Sequence, residues 1–112
     1  MSKNPEILIK FILESIQSLE GYVVDINEQS YESNMEKQDA VEHRLQVVGQ
    51  AITQLPKEIK DRHPEIEWAK IAGLRNRIVH EYLDIDHGLI WKIVTESLPE
   101  FKKQITALIK KD

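Results

Sequence analysis

The chain contains no cysteine among its 112 residues, and it has only four glycines and four prolines. The absence of cysteine excludes disulfide bonds and thiolate metal sites. The low glycine and proline content is not typical of long loops or of a disordered composition. We therefore expect one folded domain over residues 1–112, stabilised by a modest hydrophobic core.

Long apolar runs are also lacking, since no segment approaches the ~20 residues that a membrane-spanning helix needs. The N-terminal residues MSKNPEILIKF do not contain the apolar segment of a secretion signal. Charged residues make up 30% of the chain and hydrophobic residues 41%, which is ordinary for a globular protein in solution. We expect a cytoplasmic protein that does not associate with membranes.

An excess of basic residues is missing as well. The chain has 19 acidic residues against 15 lysines and arginines, which gives a formal net charge of −4. General nucleic-acid-binding proteins usually present a basic surface. Any function that involves nucleic acid must therefore depend on a local cluster of basic side chains.

Apolar residues recur every three or four positions, which predicts amphipathic helices. Asn4 followed by Pro5 indicates the N-cap and first residue of a helix, with an inward stripe formed by Leu8, Ile12, Ser15, Leu19, Tyr22 and Ile26. Ser33 and Glu36 have the spacing of a capping box. The second stripe that follows consists of Val41, Leu45, Val48, Ile52 and Leu55. Arg44 lies at the edge of this stripe, and we expect its head group to extend to solvent.

The second half of the chain predicts two further helices. Pro56 and Pro64 bracket a connector with room for one short helical turn. A third helix should begin between Pro64 and Trp68, and Asp86 should cap a fourth, which Pro99 should kink or restart. No segment has the alternation of a β-strand. The sequence therefore predicts an all-α, antiparallel bundle of about four main helices plus a short connector helix.

The segment with the most polar chemistry is Gly73–Asp86, with the sequence GLRNRIVHEYLDID. On a helical wheel the core face of the third helix, which carries this segment, would consist of Ile71, Leu74, Ile78 and Tyr82. Arg75 lies at the edge of this face, while Asn76 and His80 stack on a more polar one. A straight helix cannot point Arg75, His80 and Tyr82 in one direction. Either the helix loosens near His80, or these residues line a cleft from both rims.

These residue types suit phosphodiester chemistry. Histidine transfers protons near neutral pH, and the planar guanidinium of arginine matches a phosphate. Asparagine can orient either group, and a cation can stabilise the charge that grows on phosphoryl oxygens. RNA supplies its own nucleophile, the 2′-hydroxyl, so that no metal is strictly needed. The alternative is that Arg75, Asn76 and His80 are ordinary solvated surface residues.

A metal site is another alternative, because His80, Asp84 and His87 carry side chains that could bind an ion. The predicted boundary between two helices falls among them, and their spacing matches no strong metal signature. Asp84 and Asp86 are better explained as turn and capping residues. We therefore predict neither a metal site nor a cofactor. His43 has no evident partner in the sequence.

The pattern R-x4-H-x-Y, formed by Arg75, His80 and Tyr82, resembles a family signature. It is similar to that of the HepT-like branch of the HEPN superfamily, ribonuclease toxins paired with minimal nucleotidyltransferase antitoxins. Three longer segments also resemble this family: QDAVEHRLQVVGQAI, HPEIEWAKIAGLRNRIVHEY and IWKIVTESLP. The resemblance covers approximately residues 5–109.

The resemblance implies a HEPN fold and a homodimer with its active cleft at the interface between the two copies. It assigns catalysis to Arg75 and His80, a supporting role to Asn76, and the acceptance of AMP from the antitoxin to Tyr82. The implied function is a metal-independent endoribonuclease toxin that AMP transfer silences. The alternative is a non-catalytic HEPN dimer that binds RNA, a nucleotide or a nucleotidyltransferase partner.

Overall fold

The computed structural model describes residues 4–110, except for the side chains of Tyr82 and Lys110. These residues form helices α1 (Pro5–Val23), α2 (Glu28–Glu32), α3 (Met35–Thr53), α4 (Lys57–Arg62), α5 (Trp68–His80), α6 (His87–Lys92) and α7 (Leu98–Lys110). A 3-10 turn spans Tyr82–Asp84, and a π turn spans Ile93–Ser97. No strand occurs within residues 4–110. The predicted all-α class is confirmed.

Helix α1 begins where its sequence predicts. The side chain of Asn4 accepts hydrogen bonds from the backbone N–H groups of Glu6 and Ile7, at 2.9 and 3.4 Å. Such a cap satisfies donors that have no partner inside the helix. The helix ends at Val23, so that Ile26 of the predicted stripe lies beyond it. Its buried side chains are Ile9, Ile12, Ser15, Ile16 and Leu19.

The predicted capping box at Ser33 is wrong by one residue. The N-cap of α3 is Asn34, whose side chain accepts the N–H of Lys37 at 3.0 Å. Ser33 instead ends α2, where its N–H donates to the carbonyl of Ser30 at 3.2 Å. The apolar stripe of α3 is buried as predicted, through Val41, Leu45, Val48 and Ile52, followed by Leu55.

The predicted connector helix is present as α4, between Pro56 and Pro64. Helix α5 then begins at Trp68, within the predicted range. The Trp68 indole donates a hydrogen bond to the carbonyl of His63 at 3.1 Å and so ties the start of α5 to the connector. The buried side chains of α5 are Trp68, Ile71, Leu74 and Ile78.

The last helical stretch begins at Asp86, whose side chain accepts the N–H of Leu89 at 3.0 Å, as expected for an N-cap. It continues from α6 through the π turn into α7. In that turn the N–H of Leu98 donates to the carbonyl of Ile93, which is five residues earlier. Pro99 follows at once and has no N–H to donate. The disturbance predicted at Pro99 therefore takes the form of a widened turn.

Helix α3 lies between α1 and α5, against which it packs most extensively. Gly49 of α3 lies against Ala72 and Arg75 in the middle of α5. Glu42, nearer the start of α3, contacts His87, which follows the end of α5. The two helices therefore run antiparallel. None of the helices in residues 4–110 is both long and apolar enough to cross a membrane.

Arg44 is covered more than the sequence suggests. Arg44 is half-buried. Its Nε atom is fully buried and has no hydrogen-bond partner among the described residues. The expectation that this side chain extends freely into solvent therefore does not hold for the inner part of its guanidinium group.

Candidate functional site

Helix α5 presents the polar residues of the motif on the protein surface. Its buried side chains anchor one face of the helix, and Arg75, Asn76 and His80 are all exposed. The Nη1 group of Arg75 donates a hydrogen bond to Oδ1 of Asn76 at 3.3 Å. This hydrogen bond brings the Asn76 amide and the Arg75 guanidinium together on the surface, and the supporting role of Asn76 stays a prediction.

Of the two arginines on α5, Arg77 has a carboxylate partner among the described residues and Arg75 does not. Nε of Arg77 lies 3.8 Å from Oε2 of Glu81. Among residues 4–110, by contrast, no carboxylate forms an ion pair with Arg75. Its guanidinium is therefore free to accept a phosphate, for which its planar fork is well suited.

His80 is the last residue of α5, and the helix stays regular up to it. The N–H of Glu81 still donates to the carbonyl of Arg77 at 2.9 Å, so the helix does not loosen before it ends. Five residues separate Arg75 from His80, which is about 7.5 Å along the axis and about 140° around it. One copy of α5 therefore holds the two side chains on different sides.

Tyr82 begins the 3-10 turn directly after α5, where the N–H of Asp84 donates to the carbonyl of Glu81 at 2.8 Å. The Tyr82 side chain lies outside the described residues, so its predicted place on the core face stays a prediction. Two apolar side chains on this part of the surface are exposed, Val79 at 49% and Leu83 at 92%. Apolar surface thus accompanies the polar motif residues.

A groove adjoins Arg75 on the side of α3. Its volume is about 610 Å³, and its lining consists of Leu8, Phe11, His43, Gln46, Val47, Gln50, Ala51, Gln54 and Arg75. The motif and the apolar stripes of the sequence do not indicate this groove. The signal that does is the spacing of Gln46, Gln50 and Gln54, because residues four apart lie on one face of a helix. His43 lies on the same side of α3.

His87 does not group with His80 and Asp84, the residues considered with it for a metal site, but contacts Glu42 and Tyr31. Its Nδ1 atom lies 2.9 Å from Oε2 of Glu42, and the Tyr31 hydroxyl donates to the same oxygen at 3.4 Å. No sequence pattern indicates this pair, because 45 residues separate its members. Among the residues that the structure describes, no three histidine, aspartate or glutamate side chains are grouped to hold a metal ion.

Comparison with known proteins identifies the family. Residues 12–108 match the family described as Ribonuclease HepT-like. The chain belongs to the HepT-like family of the HEPN superfamily. The family resemblance seen in the sequence is confirmed, and the all-α bundle is consistent with it.

Several relatives of this HepT-like chain carry ribonuclease names. "Gamma-glutamylcyclotransferase and putative RNase MJ0434" of Methanocaldococcus jannaschii is 33% identical over 109 residues, which are 97% of this chain and 49% of that protein. The chain thus spans about half the length of that relative.

Two further relatives match along nearly their whole length. "Putative RNase TTE0752" of Caldanaerobacter subterraneus is 28% identical over 98% of both chains. "Probable ribonuclease HepT" of Thermococcus cleftensis is 29% identical over 98% of this chain and 100% of that protein. No solved structure matches the chain.

Proposed function

We propose that this HepT-like chain is a metal-independent endoribonuclease, the cytoplasmic toxin of a toxin–antitoxin pair. The observation that carries the proposal is the exposed set of Arg75, Asn76 and His80 on α5, with Arg75 held by Asn76 and without a carboxylate partner in the described residues. The ribonuclease names of full-length relatives support the same interpretation.

In this proposal the 2′-hydroxyl oxygen of RNA attacks the neighbouring phosphorus, and the bond from phosphorus to the 5′ oxygen breaks. The products are a 2′,3′-cyclic phosphate and a 5′-hydroxyl. His80 acts in the proton transfer that this exchange requires. Arg75 binds the phosphoryl oxygens, whose negative charge grows as the pentavalent phosphorus forms. No step needs a metal ion or a cofactor.

The active unit in this proposal is a homodimer. A single α5 cannot aim Arg75 and His80 at one point, because they diverge by about 140° around the helix. A two-fold axis beside α5 would bring the motif residues of two copies together. Val79 and Leu83, which are exposed next to the motif, are side chains that such a contact would cover.

Silencing by AMP transfer to Tyr82 is part of the same proposal, with a minimal nucleotidyltransferase as the partner. The backbone of Tyr82 lies two residues after His80 at the end of α5. An AMP group attached there would add a bulky anion close to the catalytic residues, where it would compete with RNA for Arg75.

Intact-mass analysis tests the acceptor. The protein should gain about 329 Da for each AMP group transferred by the cognate nucleotidyltransferase and ATP. Tyr82→Phe should remain an active nuclease and gain nothing. Tyr82 would not be the acceptor if the Phe variant gained the same mass.

The alternative function is a non-catalytic dimer that binds RNA, a nucleotide or the nucleotidyltransferase. The net charge of −4 favours the form of this alternative that binds the nucleotidyltransferase, because an acidic protein attracts RNA less than a basic one does. Incubation of the purified protein with total RNA in EDTA separates the two candidates. We expect cleavage in EDTA that disappears in His80→Ala and in Arg75→Ala and persists in Arg77→Ala, the control on the same helix. Binding of RNA without any cleavage would support the alternative.

A further inference from the structure

The groove between α1 and α3 has a lining of unusual composition for this acidic chain. Nineteen of the 112 residues are acidic, yet none of the nine lining residues is a carboxylate. Arg75 contributes a permanent positive charge, and the imidazole of His43 can form a hydrogen bond. The rest of the lining is apolar or uncharged. This local composition fits a polyanion better than the surface as a whole does.

The groove also combines the two kinds of surface that a nucleobase needs. Phe11 is 40% exposed, so that part of its ring can stack on a base. Gln46, Gln50 and Gln54 follow one another at intervals of one turn along α3. Their amides both donate and accept hydrogen bonds, as the edges of bases do. A volume of about 610 Å³ lies within the usual range for small-molecule sites.

Arg75 connects this groove to the motif. It lines the groove and at the same time donates a hydrogen bond to Asn76 on the motif surface. Gly49 brings the two helices close at this point, because its Cα faces the carbonyl of Ala72 and the Cβ of Arg75. A strand whose phosphate is bound by Arg75 can therefore continue directly into the groove.

We infer that the groove lined by Phe11, Gln46 and Gln50 binds a base of single-stranded RNA next to the phosphate held by Arg75. The inference rests on the proposed function and adds the part of the substrate that is recognised outside the motif. Stacking on an aromatic ring tolerates every base, whereas the glutamine amides can prefer one. Single-stranded RNA fits this geometry, since its bases are free to leave the stack.

The test measures the binding of a short, fluorescently labelled single-stranded RNA by anisotropy, in a His80→Ala background that does not cut. Phe11→Leu keeps an apolar side chain and removes the ring, and Gln50→Glu places a negative charge in the groove. Each should weaken binding about tenfold. Gln17→Glu introduces the same charge on an exposed position of α1 outside the groove, and it should leave binding unchanged.

Equal binding by all variants would overturn the base subsite. A lower sedimenting mass of Phe11→Leu or Gln50→Glu would also overturn the base subsite, because the groove would then be part of the interface between two copies of the chain. In the wild-type background Gln50→Glu should raise KM more than it lowers kcat. If the wild-type chain cuts RNA in EDTA while the groove variants bind normally, only the subsite fails. If the wild-type chain neither binds nor cuts RNA, both the base subsite and the proposed function fail.

Discussion

Glu42 is a buried carboxylate held by a histidine and a phenol. It is 5% exposed, and its Oε2 atom lies 2.9 Å from Nδ1 of His87. Burial raises the pKa of Glu42, His87 opposes this rise, and the neighbouring Asp39 adds to it. Burial also raises the pKa of Tyr31, so that its hydroxyl stays protonated and donates to Glu42. These contacts tie α2, α3 and the start of α6 together.

The raised pKa of Glu42 sets the sign of a pH dependence. The folded protein keeps the proton of Glu42 to a higher pH than the unfolded chain, whose carboxyl has its ordinary value of 4.5. This contribution to stability is therefore complete below pH 4.5 and is lost as the pH rises through the folded-state pKa. Between pH 4.5 and the folded-state pKa, the free energy of unfolding of Glu42→Gln should therefore fall less than that of the wild-type protein.

Urea denaturation at a series of pH values measures this difference. The protein concentration should be held constant, because the stability of a dimer depends on it. Identical pH profiles for the wild-type protein and Glu42→Gln would show that the carboxyl of Glu42 does not titrate with a raised pKa.

At the scale of the elements, the contact between α3 and α5 depends on one glycine. A Cβ at Gly49 would lie 3.0 Å from the carbonyl oxygen of Ala72 and 3.1 Å from the Cβ of Arg75. The first of these is a backbone atom and cannot rotate away. The close approach is relevant to the site, because it sets how near Arg75, which lines the groove, lies to α3.

Gly49→Ala should therefore destabilise the fold by about 1 kcal/mol, since overpacking exceeds the gain in helix propensity. Gly49→Val should cost more, about 2 to 3 kcal/mol. A Cβ at Gly21 on α1 would meet no atom of another element within 4 Å, so Gly21→Ala should stabilise by about 0.5 to 1 kcal/mol. Urea denaturation compares the three variants, and a stabilising Gly49→Ala would contradict the tight contact.

The elements that the sequence predicts well are those with local signals. The caps at Asn4 and Asp86, the connector between Pro56 and Pro64, and the buried stripe of α3 follow from spacing alone. The predicted start of α3 is wrong because Ser33 and Asn34 are both good N-caps. Only the presence of α2, which uses Ser33 at its end, decides between them.

The site is predictable to a similar extent. The exposure of Arg75, Asn76 and His80 follows from their position on the wheel away from the centre of the apolar stripe. The groove cannot be predicted from the helical wheel, because it depends on how α1 and α3 pack beside Arg75. The contact of Glu42 with His87 is likewise long-range, and no periodic pattern in the sequence links residues that are 45 positions apart.

At the scale of the whole molecule, the proposed function requires two copies. We expect the wild-type protein to sediment as a dimer at micromolar concentration. Val79→Glu should give a monomer without nuclease activity, because the two-fold axis would bring two new carboxylates close to one another. Val24→Glu is the matched control, since Val24 is also exposed, at 79%, and lies after the end of α1. It should remain a dimer.

A wild-type protein that sediments only as a monomer would remove the shared cleft from the mechanism. A Val79→Glu variant that remains dimeric and active would place the contact between copies elsewhere on the surface. In that case the divergence of Arg75 and His80 on α5 would need another explanation.

The most direct measurement compares an RNA strand with its all-deoxy counterpart, both incubated with the purified protein in EDTA. We expect the wild-type protein to cut only the RNA and to leave 2′,3′-cyclic phosphate ends, which mass spectrometry identifies. His80→Ala should cut neither strand. Cleavage of the deoxy strand, or cleavage of the RNA by His80→Ala at the wild-type rate, would contradict attack by the 2′-hydroxyl with His80 as the proton-transfer residue.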